Sequence, residues 1–158
     1  SEAFRRKQDT LHFIKKAEKD TLAVYKYPEG TLVDLNEADT TELKKIPGIG
    51  SGIARMIVAY RKRLGGFYDM AQLKEVNYVD EDMLRWFKLG NAPIHRINAN
   101  KAGLDKLRSH PYMNFYQAKV IIEYRRKKGK LKSLSQLSLY EEFTEKDLER
   151  LSHYLAFD

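Results

Sequence analysis

The sequence has no cysteine, only 4 prolines and 9 glycines among 158 residues, and no long uncharged run. Without cysteine there is neither a disulfide framework nor a thiolate zinc site, although a cysteine-free chain is compatible with any redox compartment. So little glycine and proline excludes collagen-like and low-complexity chains. The longest uncharged stretches, such as Met56 to Tyr60, fall far short of the roughly 18 apolar residues that a spanning helix needs, so a soluble chain is expected. No signal peptide is recognisable. The chain opens with Ser rather than Met, which points to a fragment, with any targeting or anchoring segment lying upstream.

What is present is a basic surplus. Lys and Arg number 29 against 22 for Asp and Glu, a net charge of +7, and such a surplus favours phosphate-bearing partners. It is unevenly spread: residues 1–33 carry +2, residues 34–92 carry 0 and residues 93–158 carry +5.

Shifting the sequence by 64 positions aligns Val33–Leu84 with Ile97–Leu148 without a gap. Thirteen of the fifty-two aligned positions are identical, among them Asn36/Asn100, Pro47/Pro111, Tyr60/Tyr124, Arg61/Arg125, Gly65/Gly129 and Gln72/Gln136. Such a match indicates duplication of one folding unit. Three segments follow: an N-terminal helical segment and linker over 1–32, a first unit over 33–92 and a second over 93–158.

Within a unit the periodicity is helical. Asp39 to Ile46 reads as a short helix broken by Pro47-Gly48-Ile49-Gly50, after which Ile53, Ala54, Ile57 and Val58 share one apolar face. Gly65-Gly66 ends that helix, Asp69 is an N-cap for Met70 to Glu75, and Asp80-Glu81-Asp82 starts a last helix to Phe87. The second unit repeats the plan over Lys101 to Ser109, Phe115 to Lys128, Ser133 to Leu139 and Thr144 to Leu155. No strand pattern competes. The expected fold class is all-α, two tandem units of paired helix-hairpin-helix elements. Leu43, Ile46, Ile49, Ile57, Leu73, Leu84, Leu107, Ile121, Leu137 and Leu148 are the expected core. Before them, Phe4, Leu11, Phe13 and Ile14 predict a partial helix, and Tyr27-Pro28-Glu29-Gly30 a connector.

The first hairpin carries the chemistry. Gly48 and Gly50 pass the backbone through a tight turn with no Cβ in the way, and the next helix begins with unpaired N–H groups. A phosphate oxygen could accept hydrogen bonds from the amides of Gly48, Ile49, Gly50, Ser51 and Gly52, aided by the helix dipole. Arg55, Lys44 and Arg61 would supply side-chain charge, and base edges would not be read. The plainer reading is a tight interhelical turn, but a bare turn needs one glycine, not three within five residues. The aligned Pro111-Tyr112-Met113-Asn114 has side chains in place of the glycines, and the turns at Asn77-Tyr78-Val79 and Glu142-Phe143-Thr144 depart further, so those three are expected to be structural.

Leu43 to Ala54 closely resembles a helix-hairpin-helix motif. With Val33 to Asp39 before it, and Tyr60-Arg61 and Gly65-Gly66-Phe67 after it, the unit resembles the repeat of the ComEA competence proteins of bacteria, a SAM-like helical bundle. The resemblance covers both units, strongly in the first. It implies non-specific binding of double-stranded DNA outside the cell for uptake, with a membrane tether upstream of these residues, and no small-molecule substrate, cofactor or metal.

A second basic patch comprises Lys119, Arg125, Arg126, Lys127, Lys128, Lys130 and Lys132, against the single acid Glu123. It reads either as a second phosphate contact or as a solvated face that also satisfies the helix dipole. Tyr112, Phe115 and Tyr116 are expected to fill core space left by the missing glycines, with stacking on unpaired bases as the alternative. Catalysis finds little support: the four histidines are scattered, His110 is expected to be packed, and consecutive acids at 80–82 point in different directions. Asp69 sits roughly where hairpin-containing DNA glycosylases place a catalytic Asp, but the N-cap role is simpler. The remaining rival is a protein-interaction scaffold whose degenerate hairpins dock a partner.

Overall fold

The computed structural model describes residues 1–22 and 25–158, and side chains outside 13–24. Helix α1 runs over Glu2–Leu22 and is longer than the partial helix its loose periodicity suggests. Its Phe4 and Leu11 are exposed; the side chains of Phe13 and Ile14 lie outside the described residues. No helix among the described residues is long and apolar enough to cross a membrane.

The first unit consists of β1 (Val33–Asp34), α2 (Thr40–Leu43), α3 (Ser51–Leu64), 3-10 helices over Met70–Glu75 and Glu81–Trp86, and β2 (Phe87–Lys88). The second consists of β3 (Ile97–Asn98), α4 (Leu104–Arg108), α5 (Phe115–Lys128), a 3-10 helix over Leu134–Leu137, α6 (Glu145–Leu151) and β4 (Leu155–Ala156). The short strands correct the strand-free expectation. β1 pairs with β2 and β3 with β4, both parallel, so each unit closes by joining its first residues to its last. A two-residue strand shows no alternation, so no period could reveal it. The closing strand arrives four residues later in the second unit, about one helical turn, where α6 replaces the 3-10 helix of the first.

Eight of the ten expected core residues are buried, while Leu84 and Leu148 are partly buried against them. The polar identities between the units are latches. Asn36 exchanges hydrogen bonds with the backbone of Phe67, donating at 2.9 Å and accepting at 2.7 Å, and Asn100 does the same with Leu131 at 2.9 and 2.8 Å. Gln72 accepts from the N–H groups of Tyr68 and Asp69, as Gln136 does from those of Lys132 and Ser133.

The units meet in a buried polar and aromatic junction. His110 donates from Nε2 to the Leu64 carbonyl (2.8 Å), and its Nδ1 accepts from the Tyr112 N–H (3.0 Å), which fixes a neutral ring. Burial, against the opposing pull of the Leu64 hydrogen bond and with the help of the Arg150 and Arg63 charges, holds its pKa down to about 4. The Tyr154 hydroxyl donates to the Gly66 carbonyl (2.6 Å) and accepts from Gln72 (2.7 Å), which also donates to Tyr112 (2.9 Å). Tyr112 donates in turn to the Glu75 carboxylate, and the Arg150 guanidinium lies 3.5 Å from the centre of its ring. These bonds join the units through a polar network that specifies one arrangement, with the buried Arg150 Nε left, among the described residues, as its unpaired donor.

Candidate nucleic-acid interface

The first hairpin is built so that its apolar side is anchored and its polar side is open. Ile49 is buried at 1% exposure, with its N–H donating to the Ile46 carbonyl at 3.1 Å, whereas Gly48, Gly50, Ser51 and Gly52 are exposed. Gly48 has φ +88°, a conformation that side-chain-bearing residues rarely adopt, so the turn itself requires it. Gly50 is different. Its φ is −98°, and a Cβ there, as at Gly52, would meet nothing within 4 Å.

Gly50 is the N-cap of α3 and supplies no side-chain cap. The first intrahelical acceptor is its carbonyl, which takes the Ala54 N–H at 3.0 Å. Among the described residues, the N–H groups of Gly50, Ser51 and Gly52 have no hydrogen-bond partner within the chain. Three outward donors on the positive end of a 14-residue helix make an anion cradle. Arg55 is exposed one turn into α3, on the face of Ser51. Helix α5 has the same length and the opposite treatment: Asn114 accepts from the Gln117 N–H at 2.8 Å and Gln117 reciprocates at 2.9 Å, closing a capping box.

Lys26 is a component that the sequence reading missed. Its ammonium donates to the carbonyls of Lys44 (2.5 Å), Ile49 (3.1 Å) and Ile46 (3.4 Å), and burial lowers its pKa. The Tyr27 N–H adds a bond to the Lys45 carbonyl at 2.7 Å. The connector thus staples the carbonyl side of the hairpin whose amide side is free. A lone lysine in a linker carries no local pattern that would have revealed this.

Two expected contacts are corrected. Arg61 donates to the carbonyls of Leu35 (3.0 Å) and Ala38 (2.7 Å), and Arg125 donates to those of Ala99 (2.8 Å) and Ala102 (2.6 Å). Both are partly buried latches that tie the long helix to the start of its unit, so one nitrogen of each guanidinium is spent on the fold and not held free for a phosphate. Their identity across the repeat was the available signal, because a residue retained in both units after the glycines are lost belongs to the fold. The rest of the second patch is exposed: Lys119, Arg126, Lys127, Lys128, Lys130 and Lys132. Arg126 and Lys127 engage Glu123 at 2.8 and 3.5 Å. Lys44 is partly buried beside the hairpin.

Phe115 (39% exposed) and Tyr116 (68%) are not core residues as expected; only Tyr112 is buried, in the junction. Asp69 accepts from the Ala71 N–H at 2.8 Å and completes a capping box with Gln72, which gives its carboxylate the structural role.

The helix-hairpin-helix motif model matches residues 29–86 and 93–156. The chain belongs to the helix-hairpin-helix family. Two tandem helix-hairpin-helix copies support nucleic-acid binding as the general class of function, and DNA in general as partner. The chain is 27% identical over 154 residues to the mouse (Mus musculus) endonuclease/exonuclease/phosphatase family domain-containing protein 1, covering 77% of this chain and 27% of that protein. The Danio rerio protein of the same description is 28% identical over 127 residues, covering 66% of this chain and 23% of its own. The chain therefore spans about a quarter of the length of the curated relatives it matches. No solved structure matches the chain at the same stringency.

Proposed function

We propose that this helix-hairpin-helix chain grips duplex DNA by its phosphate backbone, without sequence preference, through the free amides of Gly50, Ser51 and Gly52 with Arg55 beside them; the Ile49 amide, expected to join them, is spent on the Ile46 carbonyl. The observation that carries the reading is Gly50. Neither its backbone angle nor its surroundings require glycine, and the helix it precedes is left uncapped. What a side chain there would obstruct is an acceptor arriving from outside. The narrower setting in DNA uptake draws support only from the ComEA resemblance, since the family match is to the motif as a whole.

Mobility shifts with unrelated duplexes at several salt concentrations test the proposal. Three to five phosphate contacts should give a log–log slope of roughly −3 to −5, equal for all sequences. Gly50→Val should weaken binding to each duplex alike while circular dichroism stays unchanged. A flat salt dependence would reject backbone binding.

The relatives favour a second, compatible reading, in which the chain is the DNA-holding portion of a longer protein and presents the duplex to a hydrolytic domain elsewhere in it. The chain itself is assigned binding and no chemistry. A scaffold role gains less support, because the degenerate hairpin over 111–114 spends Tyr112 on the first unit instead of an outside partner.

A further inference from the structure

The second unit lacks the glycine cradle but has a groove along α5. Its volume is about 360 Å³, and Tyr116, Tyr124 and Tyr140 line it together with Lys119, Lys127 and Lys128. Counting back by the repeat, Tyr116 stands where the first unit has Gly52, Tyr140 where it has Val76, and Lys128 where it has Leu64. On the same helical frame, one glycine of the cradle and two buried apolar side chains of the first unit are replaced by aromatic rings and an ammonium group.

Each part suits one kind of ligand. Tyr116 is 68% exposed and meets Phe115 in a T-shaped contact at 5.5 Å. Tyr124 and Tyr140 meet edge to face at 6.3 Å, and the Tyr124 hydroxyl is fixed by Gln136 at 3.0 Å, so the floor is rigid. Lys128 sits 5.5 Å from the centre of the Tyr124 ring, a cation beside an aromatic surface. Two carboxylates share the lining, Glu123 and Glu142; Glu123 is already paired with Arg126 and Lys127. The unpaired surplus is positive, in the unit that holds +5 of the chain's charge.

We propose that this groove binds an unpaired nucleic-acid strand, with a base stacked on Tyr116 and adjacent phosphates held by Lys119 and Lys128. Rings alternating with ammonium groups match a polymer that alternates bases and phosphates. A duplex does not fit this chemistry, because its base faces are already stacked inside the helix. The inference extends the nucleic-acid reading to a second surface and does not depend on the glycine cradle.

Fluorescence anisotropy of the whole chain with labelled oligothymidylate, and separately with a blunt duplex, tests it. Tyr116→Ala should weaken oligothymidylate binding by about fivefold to about 150-fold, the range for loss of one base–aromatic stack. Tyr116→Phe should retain wild-type affinity, and duplex affinity should change less than about twofold in both variants. Ultraviolet cross-linking of a bromodeoxyuridine oligonucleotide should map to the segment containing Tyr116. Unchanged oligothymidylate affinity in Tyr116→Ala would overturn the proposal, as would cross-links confined to the first hairpin. Displacement of oligothymidylate by polyglutamate at lower concentration than by unlabelled oligothymidylate would also overturn it, in favour of an acidic peptide. Failure of Gly50→Val to affect the duplex would reject the cradle alone and leave this test intact.

Discussion

At position 50 a glycine deprives the following helix of a cap and gives the fold nothing in return, since φ is −98° and no atom lies within 4 Å of a Cβ built there. Gly48, two residues earlier, is required by its φ of +88°. The two are therefore unequal tests of function: a side chain at 48 strains the turn, whereas one at 50 changes only what can approach. Asparagine is the informative choice, because the second unit uses it at the same place in Asn114. Gly50→Asn should stabilise the protein by a few tenths of a kcal/mol through capping, and at the same time weaken DNA binding. Thermal unfolding and a mobility shift on the same preparation check both directions. A variant that is more stable and binds as before would show that the amides of α3 are not the site.

Among the elements, α5 and α3 start from the same plan and diverge at their first turns. Helix α5 was legible residue for residue and α3 by its apolar face and closing glycine, and Asp69 announced the cap of the short helix over Met70–Glu75. The paired strands were not legible, because two residues carry no period. The role of Arg61 and Arg125 was legible only in their identity across the repeat, because charge beside a hairpin looks the same whether it faces a phosphate or a buried carbonyl. The hairpin over 111–114 depends on a neutral His110. Protonation would place a hydrogen on Nδ1 against the Tyr112 N–H. The folded pKa of about 4 lies below the ordinary 6.5, so this contribution is complete above pH 6.5 and is lost as pH falls from 6.5 through about 4. Its size is about 3 kcal/mol. Urea unfolding from pH 7 to pH 4 should show that loss in the wild type beyond whatever His110→Asn shows, and parallel profiles would contradict it.

For the whole molecule, the junction decides which experiments can separate the units. Deleting residues 93–158 would uncover the carbonyls of Leu64 and Gly66 and the Gln72 amide, so a truncated chain would confound lost charge with lost folding. Neutralising exposed charges avoids this. Lys130→Gln with Lys132→Gln should slow association with duplex DNA and flatten the salt slope by about one to two, with little change in dissociation. Stopped-flow binding at two salt concentrations checks it, and an unchanged association rate would exclude steering by the second unit. Tyr112 has a consequence of another kind. It occupies the place of Gly48 in the duplicated unit, and its hydroxyl and ring are embedded among Glu75, Gln72 and Arg150. Placing glycine there would open the turn but remove one contact from each of those three groups. A chain with two equivalent glycine hairpins would therefore have a weaker joint between its units. The second hairpin serves as mortar, and the asymmetry of the pair is what holds the two units together.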